Sequence, residues 1–545
     1  MPHRFLLAAV FAGATATAAL ADAPAAEGRS FLQYLEQVRT LVKQDQGDIN
    51  LRLRLAGMLE TAGMRDESIR VLQDLEAQFP NFREIVSPAN GLPYSEHSAG
   101  CDGTGLRATG PDVIVGDLPS IGNFTSGGPV NNTLAFSLAT TSCNPGTALL
   151  NWIQNTNDHP VIMQNFYRIK GGRIEQIGAS WLKHGFCALQ NSVCGTCQPA
   201  GGGCVSALGL GCSDPYSAGL NGTQTNLGPR SQVNSSTGVF PYPYSPQFPG
   251  GTALDRRIRV PVADMDPALN AGATYLAEGM YVAKDDARAG NGFNNASYRG
   301  FSFSWAAGNV SSIFMTGSTV RQKAAIEGWK DLDATVNLVN VFTANEGFYE
   351  TSPPNTSVAT GKMIVGWKIT DNGNGTWRYE YAVFNQNSDR AGASFSVPVP
   401  NGVTLTNVSF RDIPLVGEPY DTTDWVFSSS GGRATWTCPQ TFAQNANANA
   451  LRWGMLYNFA FTANVGPASY ANGGRIDAFK PSTPAGGPGS YSFTIDSVAC
   501  RLAGDYNGDQ VVDFGDLNIV LGAFGNPYTF NELNIVLGNF GLRCF

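Results

Sequence analysis

Histidine is scarce in this chain, four among 545 residues, which narrows acid-base chemistry near neutral pH, because histidine is the side chain whose ordinary pKa lies there. Charge is also sparse: 14% of residues carry it, and the formal net charge is -8. A nucleic-acid partner held by phosphate contacts needs a basic face that this balance does not supply, so none is expected. Beyond residue 21 there is no run of about 18 apolar residues, so no membrane span is expected. Neither a Gly-x-Ser-x-Gly elbow nor a His-Glu-x-x-His pair occurs, and Gly211-Cys-Ser-Asp214 lacks the glycine spacing of the elbow.

Glycine is abundant, at 63 residues, with many Asn, Ser and Thr, and aromatics reach 11%. That is the profile of a sheet-rich exported protein with many turns. Residues 1–21 have the three parts of a secretory leader: basic His3 and Arg4, an apolar stretch from Phe5 to Leu20, and the cleavage site Ala19-Leu20-Ala21. The expected location is therefore secreted or at the cell surface, by bacterial export. Ten cysteines in an exported chain point to disulfides. Cys187, Cys194, Cys197, Cys204 and Cys212 crowd one Gly-rich stretch, while Cys101, Cys143, Cys438, Cys500 and Cys544 are scattered. Connectivity does not follow from spacing, though Cys500 and Cys544 bracket the C-terminal segment and a bridge there would close its ends.

The expected fold class is mainly β, with two β-rich, sandwich-like domains, a short N-terminal α-hairpin and a C-terminal calcium-binding loop-helix module. Residues 22–87 are helical in pattern. Within them Leu55-Ala56, Leu59, Gly63, Ser68, Leu72, Leu75 and Pro80 resemble one tetratricopeptide repeat, a unit that buries its apolar face by stacking. Residues 88–354 alternate short apolar runs (Asp112-Val-Ile-Val-Gly116, Pro160-Val-Ile-Met163, Ile258-Arg-Val-Pro-Val262) with Gly, Asn and Pro, and read as a β domain with long disulfide-rich loops. One helix is expected there, capped by Ser318 or Thr319 and running from Val320 to Trp329. In residues 355–499 Trp377, Tyr379, Tyr381 and Val383 alternate with polar neighbours after the turn Asp371-Asn-Gly-Asn-Gly375, which predicts a hairpin with one buried aromatic face. Phe395, Val397 and Val399 alternate likewise, Tyr491, Phe493 and Ile495 form a last strand, and Pro481–Gly489 is a long loop. This spacing indicates a β-sandwich.

Residues 500–545 carry the one specific motif. Asp505, Asn507, Asp509, Asp513 and Asp516 place oxygen side chains at loop positions 1, 3, 5, 9 and 12, with the Val511 carbonyl at position 7, which is how a short peptide wraps a hard cation. Leu517, Val520, Leu521 and Phe524 then form one apolar helical stripe. The run Phe514–Gly525 is echoed by Phe530–Gly541, so two stripes can cover each other. These residues resemble a type I dockerin, the duplicated loop-helix module that ends many secreted bacterial polysaccharide-degrading proteins. The resemblance implies calcium as the one cofactor, bound by Asp505, Asn507, Asp509, Val511, Asp513 and Asp516, with Asp513 acting through water. Loop position 6, usually Gly, is Gln510, and the second copy has lost its acidic loop, so one ion is expected. A cohesin partner in that family reads small hydroxyl pairs late in the loop, and here those places hold Phe514 and Gly515.

Candidates for catalysis are His159, and His184 in Trp181-Leu-Lys-His-Gly-Phe-Cys187. The second run is similar to an active-site segment of the secreted acid ribonucleases, in which the histidine is an acid or base and the lysine supplies phosphate charge. The further His-Gly-Leu-Trp-Pro segment of that family is missing, as His159 is followed by Pro-Val-Ile. Cys194-Gly-Thr-Cys197 with His184 and Cys187 has metal-ligand spacing, but in an exported chain disulfides are favoured. A glycosidase would need two carboxylates about 5 to 10 Å apart in an aromatic cleft. Glu175, Glu278, Glu346 and Glu350 with Trp305, Trp329 and Tyr281 are the candidates for that.

Three readings follow. The leading one is a secreted modular, non-catalytic extracellular binding or structural protein with a calcium-binding C-terminal module that either takes an extracellular protein partner or only ends the fold, and with polysaccharide as a further candidate ligand. The alternative is a secreted polysaccharide hydrolase carrying a dockerin, and the third a histidine-dependent phosphodiesterase.

Overall fold

The structure is a computed structural model that describes residues 39, 40, 42, 43, 55, 59, 67, 70, 71 and 74, and 108–544 apart from 225–227, 245–250, 350–356, 416, 501 and 508–510. The leader expected at 1–21 and most of the expected tetratricopeptide-like hairpin lie outside the described residues. Those described between Arg39 and Asp74 are helical; Leu55 and Leu59 are buried, and Arg39 Nη2 pairs with Glu67 Oε2 at 2.5 Å. They belong to one compact unit, Met1–His97, and Ser98–Phe545 forms the other. Among the described residues no helix is long and apolar enough to cross a membrane.

The second unit is mainly β and built in layers. A large antiparallel sheet runs, in order, through Asn309–Val320, Ala296–Ala306, Thr274–Val282, Val161–Lys170, Arg173–Ala179, Ile258–Pro261, Thr133–Leu138 and Ile121–Asn123, with Lys183–His184 paired to Val161–Lys170. A middle sheet holds Asn337–Thr343, Gly361–Asp371, Trp377–Asn385, Met455–Ala463 and Leu405–Arg411. An outer sheet holds Val426–Ser430, Arg433–Thr437, Gly392–Pro398, Pro467–Ala478 and Ser490–Val498. A small sheet of Ile114–Asp117, Thr140–Cys143 and Ser213–Tyr216 caps the far side of the large one.

Three cores separate these layers. Middle and outer sheets close over Tyr379, Tyr381, Phe395, Trp436, Phe459 and Phe461. Large and middle sheets close over Met163, Tyr167, Met280, Trp329, Ile364 and Phe384. The large sheet and its cap enclose Val113, Trp152, Phe166 and Tyr281.

The predicted hairpin forms with Asp371 opposite Trp377, and Tyr379, Tyr381 and Val383 are buried as the alternation requires. The opposite face is buried as well: Ala382 and Phe384 join the core under the large sheet, so the middle sheet has no solvent side over this stretch. Pro481–Gly489 is the loop between Pro467–Ala478 and Ser490–Val498.

The helix predicted at Val320–Trp329 starts later, at Ala325, and ends at Leu332. Ser318, Thr319 and Val320 continue the strand, where Val320 pairs with Tyr298 and the Thr319 hydroxyl donates to Asp117 Oδ1 at 2.6 Å. The hydroxyl expected to cap a helix serves a sheet edge instead. The helix is capped by Glu327, whose carboxylate accepts from Ala324 N–H at 2.7 Å.

Disulfides join Cys143 to Cys194, Cys187 to Cys204, Cys197 to Cys212 and Cys500 to Cys544, and Cys438 is a buried thiol. The cysteines beside His184 are thus bonded to sulfur and are not metal ligands. Cys101 lies outside the described residues.

Candidate functional site

Two helices, Phe514–Gly522 and Phe530–Gly538, carry the C-terminal repeat. Each begins with a reciprocal cap. Asp513 Oδ1 accepts from Gly515 N–H at 2.6 Å while Asp516 Oδ2 accepts from Asp513 N–H at 2.9 Å. In the second copy Thr529 Oγ1 accepts from Asn531 N–H at 3.2 Å and Glu532 Oε2 from Thr529 N–H at 2.7 Å. The cap is therefore retained where the acidic loop is gone.

Asp516 also closes the loop, because its Oδ1 accepts from Tyr506 N–H at 2.6 Å and Asn507 N–H at 3.0 Å. Burial raises its carboxyl pKa, and the backbone N–H groups of Asp513, Asn507 and Tyr506 outweigh that and hold it below the usual carboxylate range. Asn507 and Asp513 meet at Gly515: a Cβ there would stand 2.8 Å from Asn507 Nδ2 and 3.0 Å from Asp513 Oδ1. Of the loop residues expected to hold a cation, Asp505, Asn507, Val511, Asp513 and Asp516 are described, and each could offer it an oxygen, which is the donor type a hard cation takes. With three of its roughly four lone-pair sites taken, Asp516 can offer a cation one more bond and no bidentate grip. Asp509 lies outside the described residues. Among the described residues no three His, Cys, Asp or Glu side chains are gathered as a metal site.

The helices meet over a narrow seam in which, among the described residues, Val512, Val520 and Val536 are the fully buried hydrophobic side chains. The expected stripe therefore splits. Leu517 and Val520 face the seam, whereas Leu521 and Phe524 are exposed, because two nine-residue helices cover each other along one line only. The exposed positions repeat as the sequence does. Phe514 is 69% exposed and Phe530 71%, with Leu521 and Leu537 exposed alongside. Phe514 stands edge-on to Phe540 and Phe524 edge-on to Phe530, each pair with ring centroids 5.0 Å apart. The outer face of the module is thus an apolar surface made twice, once from each copy. The echo was legible in the sequence, but which of its residues face outward was not.

His159 and His184 do come together, with ring centroids 4.5 Å apart. Both are buried, and every ring nitrogen faces a backbone carbonyl: His159 Nδ1 lies 2.6 Å from Pro160 O and Nε2 2.8 Å from Phe186 O, while His184 Nδ1 and Nε2 each lie 3.0 Å from the oxygens of Gly185 and Thr156. Burial, then the neighbouring His184, pull the His159 pKa down to about 3 against these carbonyls, and burial lowers His184 likewise. The pair pins the loop at Thr156–Pro160 to that at Gly185–Phe186. Beside His159 is a water-sized cavity lined by Trp152, Lys183, Tyr216 and Tyr281. Lys183 is buried and donates to Arg256 O at 2.7 Å.

Of the candidate carboxylates, Glu175, Glu278 and Glu346 are described, and each is held by its own internal bonds. Glu278 is wholly buried; its Oε1 accepts from the Tyr167 hydroxyl at 2.8 Å and Asn165 Nδ2 at 3.1 Å, and its Oε2 from Ala325 N–H at 2.6 Å. Burial pushes its pKa up to about 6. Glu346 accepts from the Ser388 hydroxyl at 2.7 Å and Arg390 N–H at 2.8 Å, and Glu175 pairs with Arg168 and Arg173. Glu350 lies outside the described residues. Trp329 and Tyr281 are core residues, and Trp305 is half-buried.

Sequence reasoning missed Arg230. Its guanidinium, 1% exposed, donates to Ser180 O at 2.8 Å, Gly454 O at 3.0 Å, Gln164 O at 3.2 Å and Asn165 Oδ1 at 2.8 Å, tying the large sheet to the middle one. Gly454 has a φ of 71°, and a Cβ there would stand 2.4 Å from Met163 Sδ and 2.7 Å from Arg230 Nη1, so no other residue fits. No protein-family model and no curated protein matches this chain.

Proposed function

We propose that this chain is a non-catalytic extracellular binding protein whose layered β body carries a calcium-organised C-terminal module that docks a protein partner. The observation that carries the reading is the apolar face repeated on the helices Phe514–Gly522 and Phe530–Gly538, with two large aromatic side chains about seven-tenths exposed. Solvent-exposed phenylalanines at equivalent positions of two copies cost solubility, and such surfaces mark interaction sites. The calcium ion would be held by Asp505, Asn507, Asp509, Asp513, Asp516 and the Val511 carbonyl, and would neutralise a loop whose carboxylates otherwise repel one another. Four disulfides support an oxidising, extracellular setting. The non-catalytic part is supported by the acids Glu175, Glu278 and Glu346, all engaged in internal bonds, and by histidines whose nitrogens face carbonyls.

Calorimetric titration of the full chain against type I cohesin domains tests the docking half. Binding in calcium, its loss in chelator, and a hundredfold or greater weakening by Phe514→Asp with Phe530→Asp are expected. An absence of binding, or binding indifferent to those two changes, overturns it. A screen of soluble polysaccharides tests the other half: turnover abolished by one carboxylate substitution would establish a hydrolase.

A further inference from the structure

One corner of the β body gathers positive charge that no carboxylate answers. Residues 215–254 contain no Asp and no Glu, in a chain whose net charge is -8. The run ends at Asp255-Arg-Arg-Ile-Arg259, where the strand Ile258–Pro261 begins. Asp255 is already engaged: its Oδ1 lies 3.4 Å from Arg259 Nη2, and its Oδ2 accepts from Thr252 N–H at 2.7 Å. Arg256 and Arg257 bond only to backbone oxygens. Arg256 Nη1 donates to Gln224 O at 2.8 Å, and Arg257 Nη1 to Ala253 O at 2.8 Å and Thr252 O at 3.4 Å. Lys183, 1% exposed, reaches the same turn and donates to Arg256 O at 2.7 Å. Among the described residues none of these three cations has an ion pair. The Nε–H of each arginine is buried without an acceptor.

The cations are held together by the fold. Gln224 ties them: its carbonyl accepts from Arg256, and its Oε1 accepts at 3.1 Å from the N–H of His184, the residue after Lys183. The Arg257 guanidinium lies over the Phe124 ring, 3.9 Å from its centroid. Arg256 has a φ of 67°, a left-handed conformation that disfavours a side chain and concentrates at functional positions. Burial, then the guanidinium groups of Arg257, Arg256 and Arg230, pull the Lys183 pKa well below its ordinary range. A second arginine cluster on the same sheet shows the contrast. There Arg168, Arg173 and Arg411 gather as well, but Glu175 and Asp264 pair with them.

We propose that Arg256 and Arg257, with Lys183 behind them, form a seat for an oxyanion, either a free ion or the sulfate or carboxylate group of an acidic polysaccharide. Both arginines are half-buried, so part of each side chain stays open to a ligand while its stem is fixed. The planar fork of a guanidinium matches paired anionic oxygens, and the Lys183 ammonium adds a point charge from beneath. Three cations in one corner make a single seat, not the track of phosphate contacts that a nucleic acid needs. The seat supplies a ligand for the β body under the reading of this chain as a binding protein, and it calls on neither calcium nor the C-terminal module.

Calorimetric titration of the full chain at low ionic strength tests it, with sodium sulfate, dextran sulfate, polygalacturonate and neutral dextran as probes. At least one anionic probe should bind, dextran should not, and Arg256→Asn with Arg257→Gln should weaken binding about tenfold or more. Asparagine serves at 256 because it tolerates positive φ. Should that chain fail to fold, Arg257→Gln alone is expected to weaken binding about threefold or more. Sodium sulfate binding as tightly as dextran sulfate identifies a free ion as the ligand, and binding of a polymer alone identifies a chain-borne group. The proposal is overturned if no anionic probe binds, if dextran binds equally well, if the arginine variants bind like wild type, or if Arg475→Gln elsewhere on the surface weakens binding as much. Binding should persist in excess chelator and in Phe514→Asp with Phe530→Asp, so failure here and failure of C-terminal docking are read separately.

Discussion

Removing the Cys500–Cys544 bridge should unfold the C-terminal module and leave the β body intact. The bridge spans a sequence separation of 44, and in the chain-entropy model closing a loop of that length withholds about 4 kcal/mol from the unfolded state. Against this the fully buried core of the module is Val512, Val520 and Val536, worth roughly 1.5–3 kcal/mol apiece. The bridge is thus comparable with the whole local core. In Cys500→Ser with Cys544→Ser the opening free energy of the module should fall by about 4 kcal/mol, a roughly thousandfold rise in the open population. Hydrogen exchange in calcium buffer reads this directly: protection at Val520 and Val536 should drop about a thousandfold while Tyr381 and Phe461 in the middle sheet keep theirs. A drop below tenfold, or equal losses in both places, would refute the argument that the module is held by its staple.

Three further outcomes follow from the same structure. Arg230→Met strands Ser180 O and Asn165 Oδ1 in the core, while Gly454 O and Gln164 O keep donors in Asn165 Nδ2 and Ser180 N–H, and should cost about 3–5 kcal/mol by urea denaturation; a loss under 1 kcal/mol would mean that water reaches them. The folded-state pKa of His159, about 3, lies below its unfolded value of 6.5, so its contribution is complete above pH 6.5 and is lost as pH falls towards 3. By pH 4.5 roughly 3 kcal/mol of it is lost, read as the pH-dependent change in the gap between wild type and His159→Gln, and a gap that does not change between pH 7.5 and 4.5 refutes it. Excess chelator should make residues 500–545 cleavable by protease, and unchanged resistance removes calcium from the loop.

Much of the fold was legible where a pattern is local. Tyr379 and Tyr381 announced their buried face by alternation, and the echo of Phe514–Gly525 in Phe530–Gly541 announced a second helix. What escaped depended on partners distant in sequence. Ala382 and Phe384 are buried because Met163 and Trp329 lie over them, and nothing near Ala382 says so. Arg230 looks like any surface arginine until Ser180, Gly454 and Asn165 converge on it. Ser318 and Thr319 carry a helix-cap signal that pairing with Tyr298 and Asp117 overrides. The exposure of Leu521 and Phe530 reflects how little surface two short helices can cover.

The middle sheet, covered on both sides, constrains how the chain can be made. Its central strand pair joins Trp377–Asn385 to Met455–Ala463, and the second of these lends Leu456 to the inner core and Phe459 and Phe461 to the outer one. During synthesis neither core can close until residue 463 has emerged, so Tyr167, Met280 and Trp329 wait uncovered while some 130 further residues are made. Folding of such long-range topology is slow, and a nascent chain in this state needs its open apolar faces shielded, as a holding chaperone does.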